Sequence, residues 1–151
     1  MSAPAAGSAW DVQIRPHLTP YFAVAAAVVI AVAHITVGLL LKVGSTGVVF
    51  RTADQVAIAL LGLVLAGLVL LLTRPRLRIG PDGISVRNLL TDKFIAWRDV
   101  VDITFPPGAR WARVDLADDE YVPVMAIQAV DKGRAVDAMD TARSLMAEYG
   151  S

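Results

Sequence analysis

The chain is 151 residues with a formal net charge of zero, so its overall electrostatics point to no nucleic-acid partner. Its 56% hydrophobic content is too high for an ordinary small soluble domain. With no cysteine it can form neither disulfides nor thiolate or zinc–cysteine sites, and its two histidines, His17 and His34, all but exclude a multi-histidine metal centre.

Residues 1–7, MSAPAAG, are small residues and proline, and read as a disordered tail. Residues 10–20 carry Trp10, Arg15, Pro16 and Pro20 ahead of Tyr21-Phe22, a pattern that fits an interfacial lead-in to a membrane segment. The first apolar run, 21–41, is interrupted only by His34 and Thr36. Ala31-Val32-Ala33 resembles a signal-peptide cleavage site, but the run continues to Leu41 and a second one follows, so the segment reads as an uncleaved membrane helix. The second run, Val56 to Leu72, has no charge and no polar face over about seventeen residues, roughly 25 Å as a helix. Between the runs, Gly44-Ser45-Thr46-Gly47 marks a turn too short for a domain. The expected arrangement is an antiparallel transmembrane hairpin over 21–73, with spans of about 21–41 and 54–73.

Four arginines (Arg15, Arg74, Arg76, Arg78) flank the outer ends of the spans, against Lys42 and Arg51 in the turn. Positive-inside counting puts both termini in the cytoplasm. Small residues recur at Ala23, Ala27 and Ala31 on the first span and at Ala59, Gly62 and Ala66 on the second, as close helix packing within the hairpin or between copies requires. His34 is an intramembrane ionisable residue with no carboxylate facing it in the second span. It reads as a neutral histidine bonded to backbone or Thr36, with a proton relay as the alternative.

Past Arg74 the pattern changes to short alternating segments. Residues 76–79 and 84–87 flank Gly80-Pro81-Asp82-Gly83, a hairpin. Further strands are expected at 93–97, 100–105, 110–117 and 121–127, the last placed at an edge or bulge by Pro123. On 110–117, Ala112, Val114 and Leu116 fall on one face and Trp111, Arg113 and Asp115 on the other. Leu89-Leu90 falls in a turn, as core or as a membrane-dipping tip. Residues 131–149 form a helix with Val136, Met139, Ala142, Met146 and Tyr149 on one face, capped by Asp131 and followed by Gly150. About six strands and one terminal helix make an α+β unit over 74–151. Its charge is split: eight basic against four acidic residues from Arg74 to Arg113, then three against eight.

This order resembles the pleckstrin-homology (PH) superfold. Residues 76–86, RLRIGPDGISV, followed by Ile95-Ala96-Trp97-Arg98-Asp99-Val100, resemble the opening of bacterial PH-like domains, in which an I-x-W-x-D-[IV] segment leads from one strand to the next. Two spans ahead of such a domain are similar to the actinobacterial membrane-anchored PH-domain proteins once described as low-molecular-weight antigens. The resemblance implies a fold and no enzyme activity.

The residues agree with that. From Arg74 onward there is no histidine, and Ser85, Ser144 and Ser151 stand in no nucleophile motif. Asp118-Asp119-Glu120 reads as a solvated turn rather than a cation site, and Gly80-Pro81-Asp82-Gly83 as a hairpin turn rather than a phosphate loop. No catalytic residue, metal or cofactor is expected. The expected function is a non-enzymatic interaction module at the cytoplasmic membrane, holding a protein partner or a second copy through Trp111 and Arg113. The alternatives are an anionic-lipid sensor using Arg74, Arg76, Arg78, Arg87 and Lys93, and an accessory subunit of a membrane transport or secretion complex.

Overall fold

The structure is a computed structural model that describes residues 10–41, 43 and 49–150. The expected tail at 1–7 and the Gly44-Ser45-Thr46-Gly47 turn lie outside the described residues. The chain forms two compact units. One takes the described part of Met1–Leu18 together with Arg74–Ser151; the other is Thr19–Thr73.

In the second unit, α1 (Leu18–Leu40) and α2 (Thr52–Leu70) form a hairpin, and a 3₁₀ turn at Leu71–Thr73 extends α2. At 1.5 Å per residue the helices measure about 35 and 29 Å. Both are long and apolar enough to cross a membrane. Asp54 accepts the Arg51 amide at 2.7 Å and so closes the start of α2. The packing surface is built from the small residues. Ala23, Ala27 and Gly38 are buried on α1, and Gly62 and Ala66 on α2, while Val24, Val28, Leu39, Leu61 and Val64 are exposed. A soluble helical pair would show the reverse.

Two polar side chains fit into the seam. His34 lies so close over Gly62 that a β-carbon there would stand 2.2 Å from the His34 β-carbon, so only glycine fits. Its Nδ1 hydrogen-bonds the Ile30 carbonyl, one turn back, at 2.8 Å. Gln55 Nε2 donates across the hairpin to the Gly38 carbonyl at 2.8 Å.

The first unit holds two antiparallel sheets and a terminal helix. Strands β1 (Val12–Ile14), β2 (Arg76–Gly80), β3 (Gly83–Arg87) and β4 (Asp92–Ala96) form one sheet in that order. Strands β5 (Val100–Thr104), β6 (Trp111–Leu116) and β7 (Tyr121–Gln128) form the other. Helix α3 (Gly133–Tyr149) follows.

Strand β1 corrects the reading of residues 10–20 as an interfacial lead-in. Val12, Gln13 and Ile14 pair with Ile79, Arg78 and Leu77. Three residues are too few to show a period of two, and it is the open edge of β2, distant in sequence, that recruits them.

The alternating strands put Leu77, Ile79, Ile84, Val86, Ile103, Val114 and Val124 into one core, each at most 1% exposed. Full burial of one such side chain contributes about 1.5–3 kcal/mol. Helix α3 covers the core with Ala135, Met139 and Ala142. Val136, expected on that face, is 59% exposed; the buried stripe runs one position earlier, through Ala135.

Trp97 of the I-x-W-x-D-[IV] segment ties the layers together. Its indole donates to the Gly80 carbonyl at 2.9 Å, and its ring lies 6.3 Å from that of Tyr149. Tyr149 in turn donates to Asp11 at 2.8 Å. That bond, with burial and the nearby carboxylates, pushes the Tyr149 hydroxyl up to about 12, so it stays a donor at any physiological pH.

Asp131 does not cap α3. Its two oxygens instead accept the His17 and Leu18 amides of the same unit, each at 2.9 Å. The acidic turn is exposed, and Asp118 and Asp119 both adopt left-handed backbone, which aspartate tolerates better than most residues.

Both strands at the borders of the second sheet are closed by side chains. On β5, Asp102 accepts the Ile103 amide at 2.7 Å and Arg143 reaches the Ile103 carbonyl at 3.3 Å. On β7, Asn88 donates to the Pro123 carbonyl at 2.8 Å and accepts the Met125 amide at 3.1 Å. This blunts the edges against strand addition.

Candidate anion-binding face

The outward side of the first sheet is set by register. Arg76 pairs with Arg87 and Arg87 with Asp92; Gln13 pairs with Arg78, Arg78 with Ser85 and Ser85 with Phe94. Paired residues share a face, with β-carbons about 4.5–5.5 Å apart. The inward partners are Leu77 with Val86 and Ile79 with Ile84. Because strand side chains alternate, the polar residues of both rows must point away from the core.

Arg76 and Arg87 are thus like charges directly opposite, an arrangement that costs roughly 0.2–1 kcal/mol. Arg15, just beyond the β1 pairing, adds a third guanidinium. It is the largest cause of a depressed pKa at Arg76, followed by burial and by Arg87, Arg78 and Arg74. Among the described residues one carboxylate answers this charge: Asp92 binds Arg87 through two nitrogens, at 2.7 and 2.8 Å. Arg78 donates to the Gln13 side chain at 3.1 Å.

Arg76, Arg78, Ser85 and Arg87 line a small hollow of about 10 Å³, room for one oxygen-sized atom. Arg76 Nε is, among the described residues, the one buried side-chain nitrogen or oxygen without a hydrogen-bond partner. A hollow ringed by guanidinium groups and a hydroxyl, with one donor unspent, has the chemistry to hold an oxyanion.

Of the expected basic residues, Arg76, Arg78 and Arg87 come together on this face. Arg74 lies just ahead of β2 and donates to the Leu89 carbonyl at 3.1 Å. Lys93 does not join them: it pairs with Val86 and stands on the opposite face of the sheet. Sequence reasoning misses Gln13 and takes Arg15 only as a flanking charge of the first span, because β1 carries no period of its own; Ser85 it takes only as a serine outside any nucleophile motif.

Trp111 and Arg113 sit elsewhere, on β6. Trp111 is half-buried. Arg113 is already engaged: Nε meets Asp115 at 2.7 Å and the Thr104 hydroxyl at 3.3 Å, and the guanidinium stacks 5.1 Å from the Tyr121 ring centre. Among the described residues, no three histidine, aspartate or glutamate side chains converge as a metal site would need.

Residues 74–145 match the family model described as "Bacterial PH domain". The chain is also 69% identical, over 96% of its own length and 94% of theirs, to an uncharacterized protein of Mycobacterium bovis and to uncharacterized proteins of two Mycobacterium tuberculosis strains. No solved structure matches it. The antiparallel sheets closed by a terminal helix, and Trp97 in the expected corner, agree with that match, and the chain belongs, with its mycobacterial relatives, to the bacterial PH-domain family.

Proposed function

We propose that this protein is an integral membrane protein of two spans whose PH-like unit, on the cytoplasmic side, binds anionic phosphate groups of the inner leaflet through the arginine face. The observation that carries the reading is the grouping of Arg15, Arg76, Arg78 and Arg87 on one sheet surface against a single carboxylate. Two of them lie within three residues of an apolar helical segment: Arg15 precedes Leu18, and Arg76 follows Thr73. The hairpin's exposed valines and leucines support the spans, since a soluble protein rarely leaves so much contiguous apolar surface in water. The positive-inside count, four arginines at the outer ends against two basic residues in the turn, supports the orientation. The role is one of binding rather than catalysis.

The test is lipid retention by the full chain in detergent, followed by native mass spectrometry. Phosphatidylglycerol should be kept in preference to phosphatidylcholine, less so as salt rises. At about 1 kcal/mol per basic residue, the Arg76→Gln, Arg78→Gln double variant should lose roughly 25-fold in relative affinity. Equal retention of both lipids would refute the reading.

A protein-partner role is a second reading, favoured by one observation. Tyr121 is 57% exposed with Arg113 stacked on it, a pre-organised aromatic–cation plate of the kind enriched at binding hot spots. A photo-crosslinker at Trp111 in native membranes should then yield a discrete protein adduct; only lipid adducts, or none, would leave β6 as packing.

A further inference from the structure

We infer that the turn between β3 and β4, residues 88–91, is a membrane-dipping tip, with Leu90 as its apolar probe and the boundary layer of the lipid bilayer as its occupant. The inference rests on the reading of the two apolar helices as membrane spans.

Leu90 is 80% exposed, the most exposed large apolar side chain described in the PH-like unit. A lone exposed leucine needs no explanation; its surroundings give this one a place. Arg74 donates to the carbonyl of Leu89, the adjacent residue, at 3.1 Å. Arg74 is joined by a peptide bond to Thr73, the last residue of the apolar segment that begins at Thr52. The turn is therefore tied, through one arginine side chain, to the residue that directly follows the apolar segment. The headgroup layer beyond that point is itself about 5–8 Å deep. Arg74 suits the same layer, its apolar stem against lipid and its charged head among phosphates.

The tip is also held stiffly. The Asn88 amide donates to the Thr91 carbonyl at 2.9 Å, and the Asn88 side chain is fixed to both Pro123 and Met125 on β7. A leucine on such a base is presented outward at a fixed point instead of folding back onto the core. The opposite end of the same hairpin, at Asp82, is polar and lies roughly 16 Å away along β3.

Because the chain lacks cysteine, single cysteines can be placed without background. Leu90→Cys, Leu63→Cys on α2 and Asp82→Cys would each carry a nitroxide label in the full chain reconstituted in phosphatidylcholine–phosphatidylglycerol vesicles. Oxygen, which partitions into lipid, and a water-soluble nickel chelate would serve as collision probes. The expected result is an oxygen-to-nickel accessibility ratio at position 90 several-fold above that at 82 and below that at 63. A ratio at 90 equal to that at 82, with 63 still in lipid, overturns the tip and leaves the spans standing. Nickel access at 63 overturns the spans and the tip with them. A label at 90 shielded from both probes means a protein surface covers it, which also refutes the lipid assignment.

Discussion

Alanine in place of Gly83 is expected to remove about 3–5 kcal/mol from the PH-like unit, a large share of what a domain of this size has. Gly83 opens β3 at φ +152°, a backbone conformation that residues with a β-carbon rarely adopt. Such strain alone costs on the order of 1–3 kcal/mol. A β-carbon there would also stand 2.3 Å from the Ile95 carbonyl oxygen and 3.0 Å from the Ala96 α-carbon. Both are backbone atoms of β4, the strand that Gly83 pairs with through Ala96, so relief means displacing the ladder. The same turn carries Gly80, whose carbonyl accepts the buried Trp97 indole, so the displacement reaches the core. The thermal midpoint of the full chain in detergent, followed by tryptophan fluorescence, should fall by at least about 12 °C. Gly108→Ala is the matched control: φ is +77°, with nothing within 4 Å of the added carbon, so only the conformational cost applies. If the two variants melt alike, the β4 clash carries no weight.

Gly83 also shows what was legible in the sequence. Gly80-Pro81-Asp82-Gly83 between two alternating segments predicts a hairpin by turn chemistry alone, and the hairpin is there. The apolar helices, the six strands after Arg74 and the terminal helix were legible for the same reason: each carries its period or its length in its own residues. What was not legible depends on partners far along the chain. Strand β1 exists because β2 offers an edge some sixty residues later. Asp131 looks like a local cap for α3, but its geometry serves two amides more than a hundred positions earlier. The arginine face follows the same rule. Arg76, Arg78 and Arg87 stood out as basic residues near a span, but their convergence comes from strand register, as does the loss of Lys93 to the other face. The alternation of β6 made Arg113 readable as lying opposite the buried Ala112 and Val114; that it is held by Asp115, Thr104 and Tyr121 was not.

Leucine in place of Asn88 is expected to be nearly as damaging as the Gly83 change, at about 2–5 kcal/mol, by an opposite route: too few polar atoms rather than one atom too many. Asn88 is 8% exposed and is, among the described residues, the one polar or charged residue that is buried as a whole. Its amide acts as a short length of strand, donating to the Pro123 carbonyl and accepting the Met125 amide on the free side of β7. Leucine has the same heavy-atom branching, so it leaves no cavity, and it supplies neither bond. Each backbone group left dry and unpaired costs about 1–3 kcal/mol. The loss should be local as well as global. Exchange of the Met125 amide with solvent should accelerate well beyond the change at Val114, which lies in the core of the same sheet. Asn88→Asp separates the two bonds, since the carboxylate still accepts from Met125 but repels the Pro123 oxygen, so it should keep the amide protected while still lowering the melting point. Unchanged protection at Met125 in the leucine variant would mean that water or another donor closes the β7 edge, and that Asn88 is buried for packing alone.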